Sequence, residues 1–403
     1  MPFKKLWSAL IISFSLFNLS CEPSQPETGP AASGDTTTTT TTTSSGETFS
    51  FAGSFKTDGQ CLNNDEYDAC IFLKNPVSQE KKTFAEIFPS NEELETLQTL
   101  ALNFNVTANS TELTNSTIDV KTASGNRLSS NNGKWKFRAS NDPNDQLGQV
   151  MAYFWLTHAA FKTLSTTGTF WAIDKKIQVV LNDEFTGWSP SGNTIHLRKP
   201  KNDGKISHNA GLMIYFLALA NLHYATEGKF SQPPTAGHRS CGESISKARH
   251  CCTAKNGCSM AIASGIADYF VATIFPESPT LGEAWVNRLS GLQACGLSRH
   301  LDENKDLNVD QAFAACTDSG GEGYIYNMGT VYASIWWQVR NDASSLAADI
   351  DRLYQHHLKI ITPADDFTSA FAKISQTDFE LFSGKHTDLF RAEFERRGIA
   401  VNP

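Results

Sequence analysis

The sequence has no block of lysine and arginine residues, and these two types together number only 34 among 403 residues. A nucleic-acid-binding surface depends on clustered basic side chains, so no nucleic-acid partner is expected. The apolar run at residues 6–19 is too short to span a bilayer. The chain also lacks a G-x-S-x-G motif, a glycine-rich phosphate loop and internal repeats. These absences argue against serine hydrolase, nucleotide-binding and solenoid interpretations.

What the chain does contain is enough apolar material for a large folded unit. Hydrophobic residues make up 40% of the sequence and aromatic residues 11%, which suffices for a sizeable core. The length of 403 residues allows one large domain or roughly two to three smaller ones. The formal net charge is -8, a mildly acidic balance that favours solubility.

The N-terminus, residues 1–21, has the features of a signal peptide. Lys4 and Lys5 precede the apolar run, and Cys21 follows it directly after the small Ser20. A cysteine at this point resembles the lipidation site of bacterial lipoproteins, although Asn18 stands where leucine is usual. We therefore expect an acylated Cys21 that anchors the protein in the cell envelope, on the outer membrane or facing the periplasm. Cleavage without lipidation, followed by secretion, is the alternative.

The remaining cysteines number eight, and an even number in an exported chain predicts disulfide bonds. Their pairing is open. A structural zinc cluster within residues 238–258 is an alternative, but zinc is not expected there because thiols in an oxidising compartment form disulfides. The candidates are Cys61, Cys70, Cys241, Cys251, Cys252, Cys258, Cys295 and Cys316.

Composition divides the chain into a tether and two domains. Residues 22–50 are rich in threonine, serine and proline, with eight consecutive threonines, and predict a disordered tether. Residues 51–140 contain segments of alternating polarity and predict a small β-rich N-terminal domain. The alternating segments are residues 99–106, 116–121 and 134–138.

Helical periodicity dominates residues 141–403. A helix is predicted to begin near Asp142, and two strands are predicted at residues 176–181 and 193–197. The predicted class is therefore α+β, with the small β-rich domain followed by a mainly helical domain that includes a short sheet.

Two apolar segments of this second domain carry the strongest functional signal. Residues 209–224 read NAGLMIYFLALANLHY, and residues 260–270 read MAIASGIADYF. Their apolar residues recur at intervals of three and four, which is typical of buried helices. The two segments resemble the active-site helices of thermolysin-like and fungalysin-like zinc metallopeptidases, which carry H-E-x-x-H on the first helix and E-x-x-x-D on the second.

At the matching positions this chain has Tyr215, Phe216 and Leu219 on the first helix, and Ser264 and Asp268 on the second. Only Asp268 agrees with the family pattern. Zinc chemistry needs two imidazoles one turn apart, a carboxylate from the second helix and a general base. The resemblance thus implies a gluzincin fold that has lost its zinc ligands, with Asp268 expected to make a structural hydrogen bond or cap.

The order of elements extends the resemblance over about residues 142–399. It implies a groove that binds an extended peptide or protein ligand by strand pairing, lined by Trp188, Tyr326 and Asn327. The resembling segments are the long helix at 149–159, the edge strand at 188–197, the downstream helix at 326–336 and the terminal helix at 389–399.

Four oxygen-bearing side chains at alternate positions resemble a calcium loop of the EF-hand or dockerin type. They are Asp302, Asn304, Asp306 and Asn308. Leu307 replaces the turn glycine, and Phe313 stands where a bidentate glutamate is expected. A calcium site and a polar connecting loop are both compatible with this pattern.

The sequence therefore predicts an exported, lipid-anchored pseudo-metallopeptidase that binds a ligand without hydrolysing it. Two alternatives stay open. The first is an active zinc peptidase with atypical ligands, and the second is a purely structural envelope protein. The atypical ligands would come from His208, His223, His238 and His250.

Overall fold

A computed structural model gives the architecture of the chain. It describes residues 38–42, 48–52, 55–56, 69–72, 99–101, 111–130, 133–139, 143–199, 205–231, 258–276, 299–314, 323–342 and 347–401. The described residues form helices packed on one small mixed sheet, together with two shorter sheets near the N-terminus. The predicted α+β class is confirmed.

The helices are numbered here α1 to α8 in chain order. They are α1 (Gln146–Thr167), α2 (Ala210–Ala225), α3 (Ser259–Ile274), α4 (Val309–Ala314), α5 (Gly323–Asp342), α6 (Ala347–His357), α7 (Phe367–Phe382) and α8 (Thr387–Arg396). The strands are β1 (Thr38–Thr42), β2 (Thr48–Ala52), β3 (Phe55–Lys56), β4 (Ala69–Ile71), β5 (Thr99–Ala101), β6 (Ile118–Thr122), β7 (Ile177–Asp183), β8 (Gly187–Ser189) and β9 (Thr194–Arg198).

The main sheet has the strand order β6-β7-β9-β8. β6 and β9 run parallel to β7, whereas β8 pairs antiparallel with β9 and lies at the edge of the sheet. The parallel β6–β7 pair requires a crossover, and α1 provides it. The sheet therefore offers an antiparallel edge strand, β8, immediately before the inner strand β9.

α1 is the central element of the core. Most of its 22 residues are buried, because it packs against β6 on one side and against α2 and α6 on others. A single buried stripe was predicted for this helix, but burial extends around it. The helix also begins later than predicted, at Gln146, after Asp145 adopts a left-handed backbone with φ of 46°.

α2 and α3 follow the predicted segments closely. α2 begins where the Asn209 side chain accepts a hydrogen bond from the backbone N–H of Leu212 at 3.0 Å, a standard N-terminal cap. α3 crosses α5 at two glycines, Gly265 and Gly329. A Cβ atom on Gly265 would lie 2.4 Å from the carbonyl oxygen of Gly329, so only glycine permits this close approach.

Three features of the N-terminal half bear on the expectations from sequence. The domain boundary predicted at residues 140–141 lies between β6 and β7, which pair in one sheet, and Trp135 belongs to the same core cluster as α1. The predicted tether contains β1, which pairs with β2; threonine is β-branched and favours extended backbone. Residues 134–138 form no strand beyond an isolated bridge of Trp135 to Ala69.

Judged by length and hydropathy, none of the helices in the described parts of the chain could span a lipid bilayer. The signal peptide and Cys21 lie outside the described residues.

Candidate functional site

The helices that resemble the metallopeptidase motif face each other at the predicted positions. The hydroxyl of Tyr215 on α2 donates to Oγ of Ser264 on α3 at 3.2 Å. Phe216 is buried and meets the Tyr215 ring edge to face, with centroids 5.7 Å apart. Leu219, one turn further along α2, is half-buried against the core. The substituted motif positions therefore form one contiguous, mostly apolar wall.

The guanidinium of Arg299 lies between these two helices. Its Nη2 donates to Oδ1 and Oδ2 of Asp268, both at 2.6 Å, and to Oγ of Ser264 at 2.9 Å. Its Nε donates to Asp268 Oδ2 at 3.2 Å. The Arg299 and Asp268 side chains are only 2% and 3% exposed. A buried cation thus contacts the two helices on which the resemblance would place the metal ligands.

Two aromatic rings enclose this guanidinium. Cζ of Arg299 lies 5.2 Å from the ring centroid of Tyr215 and 5.3 Å from that of Tyr326 on α5. Both distances fall in the range of cation–π attraction, which adds stability when the cation is desolvated. Nη1 of Arg299 is buried and has no hydrogen-bond partner in the described residues, so the aromatic faces are its neighbours there.

Burial and ion pairing shift the pKa values of Asp268 and Arg299 in opposite directions. Burial raises the pKa of Asp268 to about 6, while the Arg299 charge and hydrogen bonds lower it. Burial is the largest effect on Arg299 and lowers its pKa, but the charge of Asp268, the interaction with Tyr215 and the hydrogen bonds together outweigh it, so the net pKa is raised. Burial also raises the pKa of Tyr215. Near neutral pH the site is therefore an ion pair beside a protonated phenol.

This arrangement offers little for hydrolysis. The Asp268 carboxylate is committed to Arg299, and an ionised Arg has no lone pair with which to accept a proton. In the described parts of the chain no group of three or more histidine, cysteine, aspartate or glutamate side chains is placed to hold a metal ion. The site can hold a guanidinium and stack aromatic rings.

Trp188 and Tyr326, both predicted to line a groove, are half-buried. Trp188 lies on the edge strand β8, and its ring meets the half-buried His223 of α2 with centroids 6.0 Å apart. His223, Leu219 and Tyr215 are spaced four residues apart and so share one face of α2. This face of α2 therefore contacts β8 through His223 and Trp188, and it contacts Arg299 through Tyr215. Arg299 in turn contacts Tyr326 of α5.

Asn327 was predicted to line the groove, but its side chain is buried. Its side chain is 2% exposed, and its Nδ2 donates to the carbonyl of Ala312 at 3.4 Å. Asn327 thus joins α5 to α4 in the interior, where it is not accessible to a ligand.

The histidines considered as atypical ligands do not converge in the described residues. His208 is 2% exposed, and neither of its ring nitrogens has a hydrogen-bond partner there. His223 lies on α2 beside Trp188. His238 and His250 lie outside the described residues.

The four side chains of the predicted calcium loop make contacts within the protein. Asp302 accepts from Nε1 of Trp337 at 2.7 Å, and Asp306 accepts from Arg396 at 2.8 Å. Asn308 accepts from the backbone N–H of Gln311 at the start of α4. The amide of Asn304 donates to the carbonyl of His300.

The loop carbonyls are also occupied. The buried Arg397 donates from Nη1 to the carbonyl of Leu307 at 2.8 Å and from Nη2 to that of Lys305 at 2.8 Å. Arginine groups therefore satisfy oxygens that a calcium ion would need, and calcium binding stays a prediction.

Among the candidate disulfide cysteines, Cys70 and Cys258 lie in the described residues, and both are buried. The other six lie outside.

Arg299 is the principal residue of the site that the sequence analysis did not identify. It lies in no helix and matches no motif. The one signal for it is Asp268 itself, because a carboxylate on an otherwise apolar helix requires a buried cation or donor.

Comparison with known proteins places the chain only distantly. No protein-family model matches it, and no curated protein matches it. Among solved structures it is similar to the precursor of protealysin, a metalloproteinase from Serratia proteamaculans, with a TM-score of 0.44 and 10% sequence identity. The match covers 74% of this chain and 91% of that chain. A TM-score of this size does not establish a common fold, so no property of that protein is transferred.

Proposed function

We propose that this protein is an exported, lipid-anchored binding protein with a metallopeptidase-like scaffold that has no hydrolytic activity. The observation that carries the proposal is the position of Arg299. Its guanidinium is buried between α2 and α3, paired with Asp268 and hydrogen-bonded to Ser264. The sequence resemblance assigns the position of Ser264 to a zinc ligand in active peptidases, and that of Asp268 to a residue that orients a zinc-bound histidine.

The physics of the pair explains why hydrolysis is not expected. A zinc ion activates water because it is a Lewis acid with an open coordination position. A guanidinium has no such position, and its positive charge repels a metal ion brought beside it. Binding zinc there would also require Asp268 to leave Arg299 unpaired in the interior, which is strongly unfavourable.

The proposed ligand is an extended peptide that adds to the edge of the sheet. β8 pairs with β9 on one side, and an antiparallel edge strand is a template for another extended chain. Trp188 supports this assignment, because it lies on β8 and its side chain is only half-buried.

Export is proposed from the N-terminal signal and from cysteine chemistry. The eight cysteines other than Cys21 favour disulfide bonds, which form in an oxidising compartment. Lipidation at Cys21 rests on the sequence alone.

Metal analysis and a peptidase assay of the purified protein test the central claim. We expect no stoichiometric zinc and no casein cleavage, with or without added zinc. Tightly bound zinc together with chelator-sensitive proteolysis would instead establish the alternative of an active peptidase.

A peptide-array screen followed by titration tests the binding role. Trp188→Ala should weaken peptide binding at least tenfold, because it removes an aromatic contact at the edge strand. Phe379→Ala is the matched control, since Phe379 is 72% exposed on α7 and should leave affinity unchanged. If no peptide binds, the structural envelope role stands, which the buried Phe216 in the former cleft favours.

A further inference from the structure

The turn at residues 171–175 joins the C-terminal ends of α2 and α6. The buried Asn221 of α2 accepts a hydrogen bond from the backbone N–H of Ala172 at 3.2 Å and donates one to Oε1 of Gln355 on α6 at 3.0 Å. The indole Nε1 of Trp171 donates to the carbonyl of Gln355 at 2.9 Å. These bonds fix the three segments relative to one another, so the side chains on their outer surface form one patch.

Three cations on this surface each lie over an aromatic ring. The pairs, with the distance from the cation to the ring centroid, are Lys175 with Tyr224 at 5.7 Å, Lys359 with Trp171 at 5.5 Å and Arg352 with Phe382 at 6.0 Å. All three cations are exposed, and all three rings are half-buried. These six residues, named here the α2–α6 patch, therefore combine charged groups with rings that are partly accessible to a ligand.

Positive charge is concentrated on the α6 side of the patch. Arg352, His356 and Lys359 follow one another at spacings of four and three residues, which places them on one side of α6. Burial lowers the pKa of His356, and the charges of Arg352 and Lys359 lower it further. The exposed Asp174 supplies one negative charge in the neighbouring turn, so the cations are in excess.

None of the three cations of the α2–α6 patch forms an ion pair with a carboxylate of the described residues. By contrast, the exposed Lys199 is paired with Glu184. A cation held over a ring keeps N–H donors for a second anion, because an ammonium has three and a guanidinium has five. On a chain whose formal net charge is -8, such a cluster attracts ligands of the opposite sign.

We propose that the α2–α6 patch binds an anionic lipid surface. Its cations would contact the headgroup phosphates, and its aromatic rings would lie at the level of the headgroups, where amphipathic rings are stabilised. A soluble polyanion would engage the charges but gives no role to a ring such as Phe382. The surface is separate from the edge strand β8, so this inference goes beyond the proposed peptide binding, and it does not require acylation of Cys21.

Sedimentation with vesicles tests the proposal on the mature protein. The protein is produced without its signal peptide and with Cys21→Ser, so that no acyl chain contributes. We expect binding to vesicles of equal parts phosphatidylglycerol and phosphatidylcholine, and little binding to phosphatidylcholine alone. Raising the salt concentration from about 0.1 M to about 1 M, which shortens the Debye length from about 10 Å to about 3 Å, should release the protein. Equal binding to both vesicle types, or binding to heparin without binding to the mixed vesicles, would overturn the proposal.

A pair of lysine substitutions locates the binding surface. Lys175→Gln/Lys359→Gln should weaken binding to the mixed vesicles about 30-fold, because each basic residue near an anionic surface contributes about fivefold. Lys199→Gln/Lys305→Gln is the matched control, since it changes the net charge equally at two exposed lysines on other elements and should leave binding unchanged. An equal loss in both variants would show a response to net charge alone and would refute the assignment to this patch.

Circular dichroism checks that both variants fold. The substituted side chains are exposed, and exposed cation–π contacts contribute little to stability. Failure of vesicle binding would leave the zinc analysis and the peptide titration untouched, because neither assay contains lipid. The two proposals therefore succeed or fail separately.

Discussion

Replacing Arg299 by methionine tests whether the guanidinium compensates a buried carboxylate. Methionine has a similar length and no charge, so Asp268 would be left in the interior without its cation. The Asp268 side chain is 3% exposed and receives hydrogen bonds from two nitrogens of Arg299. Breaking one partner of a buried ion pair typically costs about 3–5 kcal/mol. We expect the free energy of unfolding to fall by about this amount at neutral pH.

The pH dependence of the variant sharpens this prediction. Burial already raises the pKa of Asp268 to about 6 with Arg299 present, and removing the cation raises it further. A carboxyl with a raised pKa binds a proton more tightly in the folded state than in the unfolded state. Its ionisation therefore destabilises the fold as pH rises above the ordinary aspartate pKa of 3.8. The difference between Arg299→Met and the wild type should shrink as pH falls toward that value.

A double-mutant cycle completes the experiment. Arg299→Met/Asp268→Leu removes both charges, and replacement of a buried ion pair by apolar side chains is often close to neutral. The assay is unfolding in urea, because guanidinium chloride would supply a soluble analogue of the missing group. Lys199→Met is the surface control, since Lys199 and Glu184 are 59% and 81% exposed and removal of their ion pair should leave the urea midpoint unchanged. Additive single effects, or a loss below about 1 kcal/mol for Arg299→Met, would refute the reasoning.

Three further predictions concern packing, pH and the loop before α4. Gly265→Ala should destabilise the protein by about 1–3 kcal/mol because the new Cβ would meet the carbonyl of Gly329 at 2.4 Å; an unchanged urea midpoint would show that α3 and α5 can separate freely. Burial lowers the pKa of His357 from 6.5 to about 3, so stability is lost as pH falls below 6.5, by about 2 kcal/mol near pH 5. His357→Gln should reduce this acid sensitivity more than His356→Gln does, and equal slopes would contradict it. Arg397→Met should cost about 2–4 kcal/mol by leaving buried carbonyls unpaired, and full restoration by calcium would show that the loop is a calcium site.

The elements that the sequence predicted best are those whose pattern is local. α2 and α3 lie within a few residues of their predicted bounds, because an apolar repeat is encoded within each segment and α2 also has an asparagine cap. The resemblance places Tyr215 and Ser264 at matching positions of two paired helices, and in the structure the two side chains are in hydrogen-bond contact.

The features that the sequence did not predict depend on distant parts of the chain. Arg299 reaches Asp268 from 31 positions away, from a segment outside any helix, and no periodicity marks it. The burial of α1 around most of its surface follows from the elements that pack on several sides of it, which a single helical stripe does not report. The interior position of Asn327 likewise follows from the packing of α4 on α5.

Arginine has a common role at both predicted metal sites. Arg299 donates to a carboxylate and a hydroxyl, and Arg397 donates to carbonyl oxygens of the loop. A guanidinium is charged at all physiological pH values and presents several donors in one plane, so it can satisfy oxygens that would otherwise require a cation. Unlike a metal ion it cannot dissociate, and unlike zinc it offers no coordination position for water. A scaffold stabilised in this way retains its shape without a metal supply, and under the proposed function the guanidinium leaves no coordination position at which water could be activated.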